Sequence, residues 1–376
     1  MSVAAEDSTA FQVLAGLLSG PPEDAALFIL GYPIDRFETE IPDFAIATGI
    51  PVDDLRELAH MARQGNDPNA AVRPEQHVVS QVLLRNWCDV TPQGPRMGYY
   101  SLAFGAQKPA SPVSVAKVED FIEIDSSETE DLWGTVETRL PDAMVAIGLG
   151  KGLTDAMCVQ TLKDLVALHY ARSLDVLDAY QASIPEFILK AKAAYLADHA
   201  LLDRLHQMTT GQTGGLVDDA ERVAFVNDFF SRFESIHVSG SYFRFRVEHY
   251  FKEAKKIVST SNVQILHAQA GSEFLIGDVP VVTSTAGAER RGIQDGVPIG
   301  DAATIVMPLS PEISVAIDAV ATEVTVDSSY VRQLNIWQLL GARKAVFMRK
   351  DSPLMAFVEA VRPKTGRPSR SRHTHP

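Results

Sequence analysis

Cysteine is nearly missing from this chain: Cys88 and Cys158 are the only two in 376 residues. Two thiols build neither a disulfide framework nor, by themselves, a zinc site, and their scarcity fits a reducing cytoplasm. Long apolar runs are missing too, since no stretch approaches the roughly eighteen consecutive apolar residues of a helical membrane span. The opening residues, "MSVAAEDSTA", carry acids where a secretory signal carries lysine or arginine. The expectation is a cytoplasmic protein with no membrane partner.

Positive charge is scarce as well. Lys and Arg number 34 against 48 Asp and Glu, a net charge of −14. Residues 1–70 hold twelve acids against Arg36, Arg56 and Arg63, which leaves −9. An acidic body repels a phosphate backbone at long range, so nucleic-acid binding by the folded part is not expected. The last fifteen residues reverse the sign, with five basic residues and no acid. Pro, Ser and Arg without apolar groups predict a disordered tail over 363–376. Its His373 and His375 are too few for a metal site.

The familiar catalytic fingerprints are absent: no nucleophile elbow, no paired zinc histidines, no Rossmann glycine pattern. "GLGKGLTD" (148–155) lacks phosphate-loop spacing and follows a helical pattern, so it reads as a helix C-cap and turn. "TGQTGG" (210–215) reads as a connector.

What is present is ordinary globular composition, 46% apolar and 22% charged, enough for a sizeable core. The pattern divides the chain into an acidic helical unit over 1–70, a core domain over 71–362 and the tail. Residues 41–65 have the rhythm of a helix-turn-helix. The acids Asp53, Asp54 and Glu57 on its second helix would face phosphates, so a packing or partner-binding module is expected there. Aromatic and β-branched runs at 96–106 and 114–124 predict strands. A helix is expected from a Ser126 or Ser127 cap, and helices continue from 153 to about 258. Within "SYFRFRVEHYFKEAKKIV", Phe243, Val247, Phe251 and Ala254 follow helix spacing and read as core. Past residue 260 short apolar runs split by Gly, Pro and Ser predict a strand-rich sheet, followed by a helix capped at Ser328 or Ser329 and a last strand, "KAVFMRK". Grouped helices and grouped strands make an α+β fold: a central helical layer on a mostly antiparallel sheet, with a small helical N-terminal unit.

One stretch, "RPEQHVVSQVLLRNWCD" (73–89), draws the search for a site. His77, Gln81 and Arg85 recur every four residues among valines and leucines, which on a helix forms one polar stripe. The stripe faces either water or a polar pocket. A buried Arg85 needs an anion, because an unpaired buried guanidinium is costly. Asp278, between Gly277 and Val-Pro at the end of an apolar run, is one candidate, with a turn cap as its plain alternative. Glu137, Arg172 and Asn335 complete the set, each with an ordinary structural role as the alternative.

The "QHVVSQVLLRNW" stretch, "FLIGDVPVV", "IVMPLSPE" and "LNIWQLLGARKAVF" resemble, in that order, the landmarks of a bacterial family known as domain of unknown function 4238. The resemblance runs from about residue 74 to 350. His77, Leu84, Arg85, Asp278, Pro280 and Pro308–Pro311 match the family pattern. Val78, Ser80, Trp87 and Gly277 depart from it, and Gly277 removes a serine hydroxyl next to Asp278. The resemblance implies a fold and a site location, but no reaction.

Two readings follow. In the first the protein is a hydrolase-like enzyme acting on an anionic, phosphate-containing substrate, with nuclease or nucleotide hydrolase as one version. His77, Asp278 and Glu137 are its candidate catalytic residues, and Arg85, Arg172 and Asn335 bind substrate. This set leaves a divalent metal open as cofactor. In the second the protein is a non-enzymatic regulator, in stress, mobile-element or phage conflict, whose residues 1–70 contact a protein partner.

Overall fold

In a computed structural model of the chain, the described residues are 75–119, 121, 133–210, 215–216, 218–238 and 241–362, with short helical pieces between 37 and 59. The Ser126 or Ser127 cap, the tail and most of residues 1–70 lie outside them. The described residues fall into two compact units. One holds residues 181–246 and the pieces between 37 and 59; the other holds 75–121, 133–180 and 247–362.

The first unit is helical. It contains most of α4 (Leu174–Ala197), α5 (His199–Thr210), α6 (Asp219–Val238) and the start of α7 (Ser241–Ser259). Tyr195 packs edge-on against Phe230, 5.7 Å between ring centroids, and Lys192 reaches Glu234 at 2.9 Å. Phe37, Ile41 and Leu55 are fully buried pieces of helix.

The second unit is α+β. It opens with β1 (Glu75–His77), the single turn α1 (Gln81–Leu84) and the hairpin strands β2 (Asp89–Thr91), β3 (Gly94–Ser101) and β4 (Ala106–Ala110). After β5 (Lys117–Glu119) come a helical turn over 133–137, α2 (Leu140–Gly148) and α3 (Ala156–Ala171). Asp155 caps α3 by accepting from the N–H of Met157 at 2.8 Å. Between α2 and α3, Gly150 has φ +68° and its N–H meets the Ile147 carbonyl, so "GLGKGLTD" is a helix C-cap and turn.

The remaining strands are β6 (Asn262–Ala268), β7 (Ile276–Gly277), β8 (Val282–Ser284), β9 (Thr304–Pro308), β10 (Ile313–Asp318), β11 (Thr322–Val326) and β12 (Ala345–Met348). They build more than the single sheet expected. One sheet runs β11-β6-β10-β9-β8, another β2-β3-β12-β7 with β4 added to β3, and β1 pairs with β5 alone. All pairings are antiparallel except β11 with β6.

Helix α8 (Ser328–Gly341) serves both large sheets. Val331, Leu334 and Trp337 pack on Leu266, Val306 and Ala316 of the first, while Leu339 packs with Tyr100, Val346 and Met348 of the second. Its cap is Asp327, not Ser328 or Ser329: the carboxylate accepts from the Tyr330 N–H at 2.9 Å, and Ser329 instead donates to that carboxylate. A carboxylate at this end also suits the helix dipole. Helix α9 (Leu354–Val361) closes the same core through Val358.

Candidate functional site

Strand register builds the floor of a cleft. Tyr99 stands opposite Lys108 on one side and opposite Phe347 on the other. Directly opposed residues of antiparallel strands point to the same face, so these three form one rung. Tyr100 and Val346, their neighbours in sequence, point the other way into the core with α8. On the rung's side the sheet faces the β1–β5 pair and the start of α4. The result is a cleft of about 190 Å³ lined by Tyr99, Phe347, Val78, Val115, Leu174 and Asp278, with Lys108, Lys117 and Lys344 beside them.

The lysines differ in their ties. Lys117 reaches Glu75 at 2.5 Å. Lys108 lies over the Tyr99 ring, 5.3 Å from its centroid. Lys108 and Lys344 are exposed and make no ion pair among the described residues.

Asp278 belongs to the floor, and its oxygens are occupied. They accept from the N–H groups of Arg343 at 2.7 Å, Lys344 at 2.7 Å and Ala345 at 3.2 Å. Burial pushes its carboxyl up to about 6, against the pull of those three donors. The aspartate thereby fixes the turn that carries Lys344, which is the plain structural role weighed for it.

Asn335 is structural too. Its Oδ1 accepts from the Leu275 N–H at 2.9 Å and its Nδ2 donates to the Glu273 carbonyl at 2.8 Å. One turn on, Gln338 does the same for Gly277 and Pro280. These amides bind backbone on either side of β7, and "EFLIGDVPVV" yields the two-residue β7 and, at Val282, the first residue of β8. A Cβ at Gly277 would come within 3.1 Å of the Gln338 carbonyl oxygen, a tight contact that the serine of the family pattern must relieve by a small shift.

His77, Glu137 and Arg172 come together. Arg172 ends α3, is 2% exposed, donates to Glu137 at 2.6 Å and lies 4.9 Å from the Trp133 ring centroid. Burial pushes Glu137 up, but Arg172 and His169, with a hydrogen bond from Ser80, bring it below the usual carboxylate range. His77 feels both members of that pair and Lys117. Burial lowers its pKa foremost, aided by the charges of Lys117 and Arg172, against a bond to the Val113 backbone and the charge of Glu137. The ring is therefore neutral near pH 7. The Gln81 amide nitrogen rests against it, 3.2 Å from Nε2 and 3.4 Å from Nδ1. His77 pairs with Lys117 across β1–β5 and precedes Val78 of the cleft wall, so it stands beside the cleft.

The helical stripe of 77, 81 and 85 does not form. His77 ends a strand, α1 is four residues long, and Arg85 is exposed in the 3-10 turn that follows. Arg85 is exposed to water, so the costly buried unpaired charge never arises.

Sequence reasoning missed His169. It is fully buried; its Nε2 accepts from the Ser80 N–H at 3.3 Å and its Nδ1 donates to the Leu165 carbonyl at 2.9 Å. Burial first, then Arg172, push its pKa down to about 4. The available signal was a lone histidine in an apolar helix three residues before an arginine. The cleft lysines were also missed. Among the described residues, no three His, Cys, Asp or Glu stand together in a way that could hold a metal ion. No helix among them is long and apolar enough to cross a membrane.

Residues 75–352 match a family described as Protein of unknown function (DUF4238). The chain belongs to that family. The match begins at β1 and ends just before α9, so it covers the cleft, His77 and Asp278 together. No curated protein and no solved structure matches the chain.

Proposed function

We propose that the family domain of this protein is a hydrolase-like enzyme that takes a phosphate-bearing anion into the Lys108–Lys117–Lys344 cleft, with His77 as its acid/base group. The observation that carries this reading is the gathering of three lysines around one cleft in a chain of net charge −14. The one carboxylate in the lining, Asp278, already accepts three backbone N–H bonds. Lysine ammonium groups act on phosphate as compact point charges. A neutral imidazole beside them accepts a proton at pH 7, and the Glu137–Arg172 pair fixes the polarity around it.

A binding protein without turnover is the second reading. It is favoured by Asp278, Asn335 and the Glu137–Arg172 pair, all tied to internal partners. In it, residues 1–70 carry the protein contact, the protein stays in the cytoplasm and the acidic body avoids nucleic acid.

Release of inorganic phosphate from p-nitrophenyl phosphate and a set of phosphomonoesters separates the two. The enzyme reading expects turnover that falls about 10²- to 10⁴-fold in His77→Gln, the usual contribution of a general acid or base. Melting temperature should stay within a few degrees. Binding without release at saturation establishes the second reading instead.

A further inference from the structure

The walls of the cleft ask for more than an inorganic anion. Val78, Val115 and Phe347 are buried at 1%, 7% and 0% exposure, and Tyr99 stands half-buried between Phe347 and Lys108. Phe347 backs the Tyr99 ring at 5.9 Å and 56°, which fixes its orientation. Lys108, an exposed and flexible side chain, lies over that ring at 5.3 Å, so a base reaches the ring when the lysine turns toward the ligand's phosphate. The enclosed space is small, about 190 Å³, below the usual range for a fully enclosed ligand, so a ligand would lie partly in solvent.

Charge narrows the ligand further. Lys117 is paired with Glu75, which leaves Lys108 and Lys344 without an ion pair among the described residues, Lys344 also feeling the charge of the buried Asp278 carboxylate. A phosphomonoester carries about −1.5 to −2 at pH 7, which matches those two lysines. A fatty acid brings one negative charge and leaves a lysine over. Bare phosphate matches the charge but makes no use of the half-buried Tyr99 ring.

From this meeting of an aromatic rung with two lysines that make no ion pair among the described residues, we infer that the ligand is a nucleoside phosphate, its base lying against Tyr99 and its phosphate between Lys108 and Lys344. Stacking on an aromatic side chain is worth about 1–3 kcal/mol per base and tolerates any base, so it suits a wall that offers no fork of donors. The inference rests on the anion-cleft reading above and names its substrate class.

Calorimetric titration of the full chain with AMP, GMP, CMP, UMP, ribose 5-phosphate and decanoate tests it. At least one nucleotide should bind tenfold or more tightly than ribose 5-phosphate. Tyr99→Leu should remove that difference and leave ribose 5-phosphate binding in place, while Tyr99→Phe, which keeps the ring, should retain it. Melting curves for both variants confirm that the fold is intact. Equal affinity for the nucleotides and ribose 5-phosphate overturns the nucleoside assignment while the anion cleft stands. Decanoate binding more tightly than every nucleotide overturns it in favour of a lipid. If no phosphate compound binds, the anion-cleft reading falls as well.

Discussion

Tyr99 and Tyr100 are neighbours in sequence and opposites in role. On one face of the β4–β3–β12–β7 sheet, Tyr100, Val346 and Met348 pack against α8 and α9 as solid core. On the other, Tyr99 and Phe347 form the floor of a cleft whose polar groups come from distant parts of the chain. The alternation of a strand therefore supplies both a foundation and a site from the same residues. The lesson is that position on the rung, not residue type, separates solid core from cleft lining here.

Substitutions on the two faces test that division. Tyr100→Ala, on the core face, should destabilise by about 3–5 kcal/mol, as truncation of a buried aromatic does. Chemical denaturation checks this, and a loss under about 1 kcal/mol would break the contrast. Tyr100→Phe refines it: the hydroxyl is buried without a hydrogen-bond partner, so its removal should be neutral or stabilising.

Asp278→Ala comes next. It strips three backbone N–H groups of their acceptor, and each buried donor left unmatched costs about 1–3 kcal/mol. It should also displace Lys344 and weaken anion binding. Lost binding with unchanged stability would mean the carboxylate meets the ligand instead of holding the turn.

The histidine layer predicts a pH dependence. His169 is held neutral by burial, with its folded pKa down at about 4 against an ordinary 6.5. Between those values the unfolded chain binds more protons than the folded one, so this group's stability is full above pH 6.5 and is lost as pH falls toward 4. Urea titrations from pH 7.5 to 4.5 should show the decline, and His169→Gln should flatten it.

Much of the architecture was legible in advance. The helices through 156–259 follow from apolar spacing, and Phe243, Val247, Phe251 and Ala254 are buried as that spacing requires. The change of period near residue 260 marks the start of β6. The site was less legible for physical reasons. A four-residue recurrence suggests a helix, but β-branched Val78 and Val79 and the Ser80 cap place the chain break after His77, so the stripe is split between a strand and a turn. Asp278 and Asn335 were singled out as catalytic and substrate-binding candidates, and the structure shows both as buried groups tied to backbone; sequence cannot tell a backbone clamp from a catalytic group. Lys108 and Lys344 look like any surface lysine until register sets Tyr99 between Lys108 and Phe347, a few residues from Lys344.

The smallest expected effect on stability carries the most weight for function. Lys108→Ala and Lys344→Ala are exposed changes that should alter stability by no more than about 0.5 kcal/mol each. The most direct test is calorimetric titration of inorganic pyrophosphate into the unaltered protein and into the Lys108→Ala/Lys344→Ala double variant at low and moderate salt. The cleft account predicts binding that weakens with salt and falls tenfold or more in the double variant, with the melting temperature unchanged. Equal affinity in both proteins would contradict it.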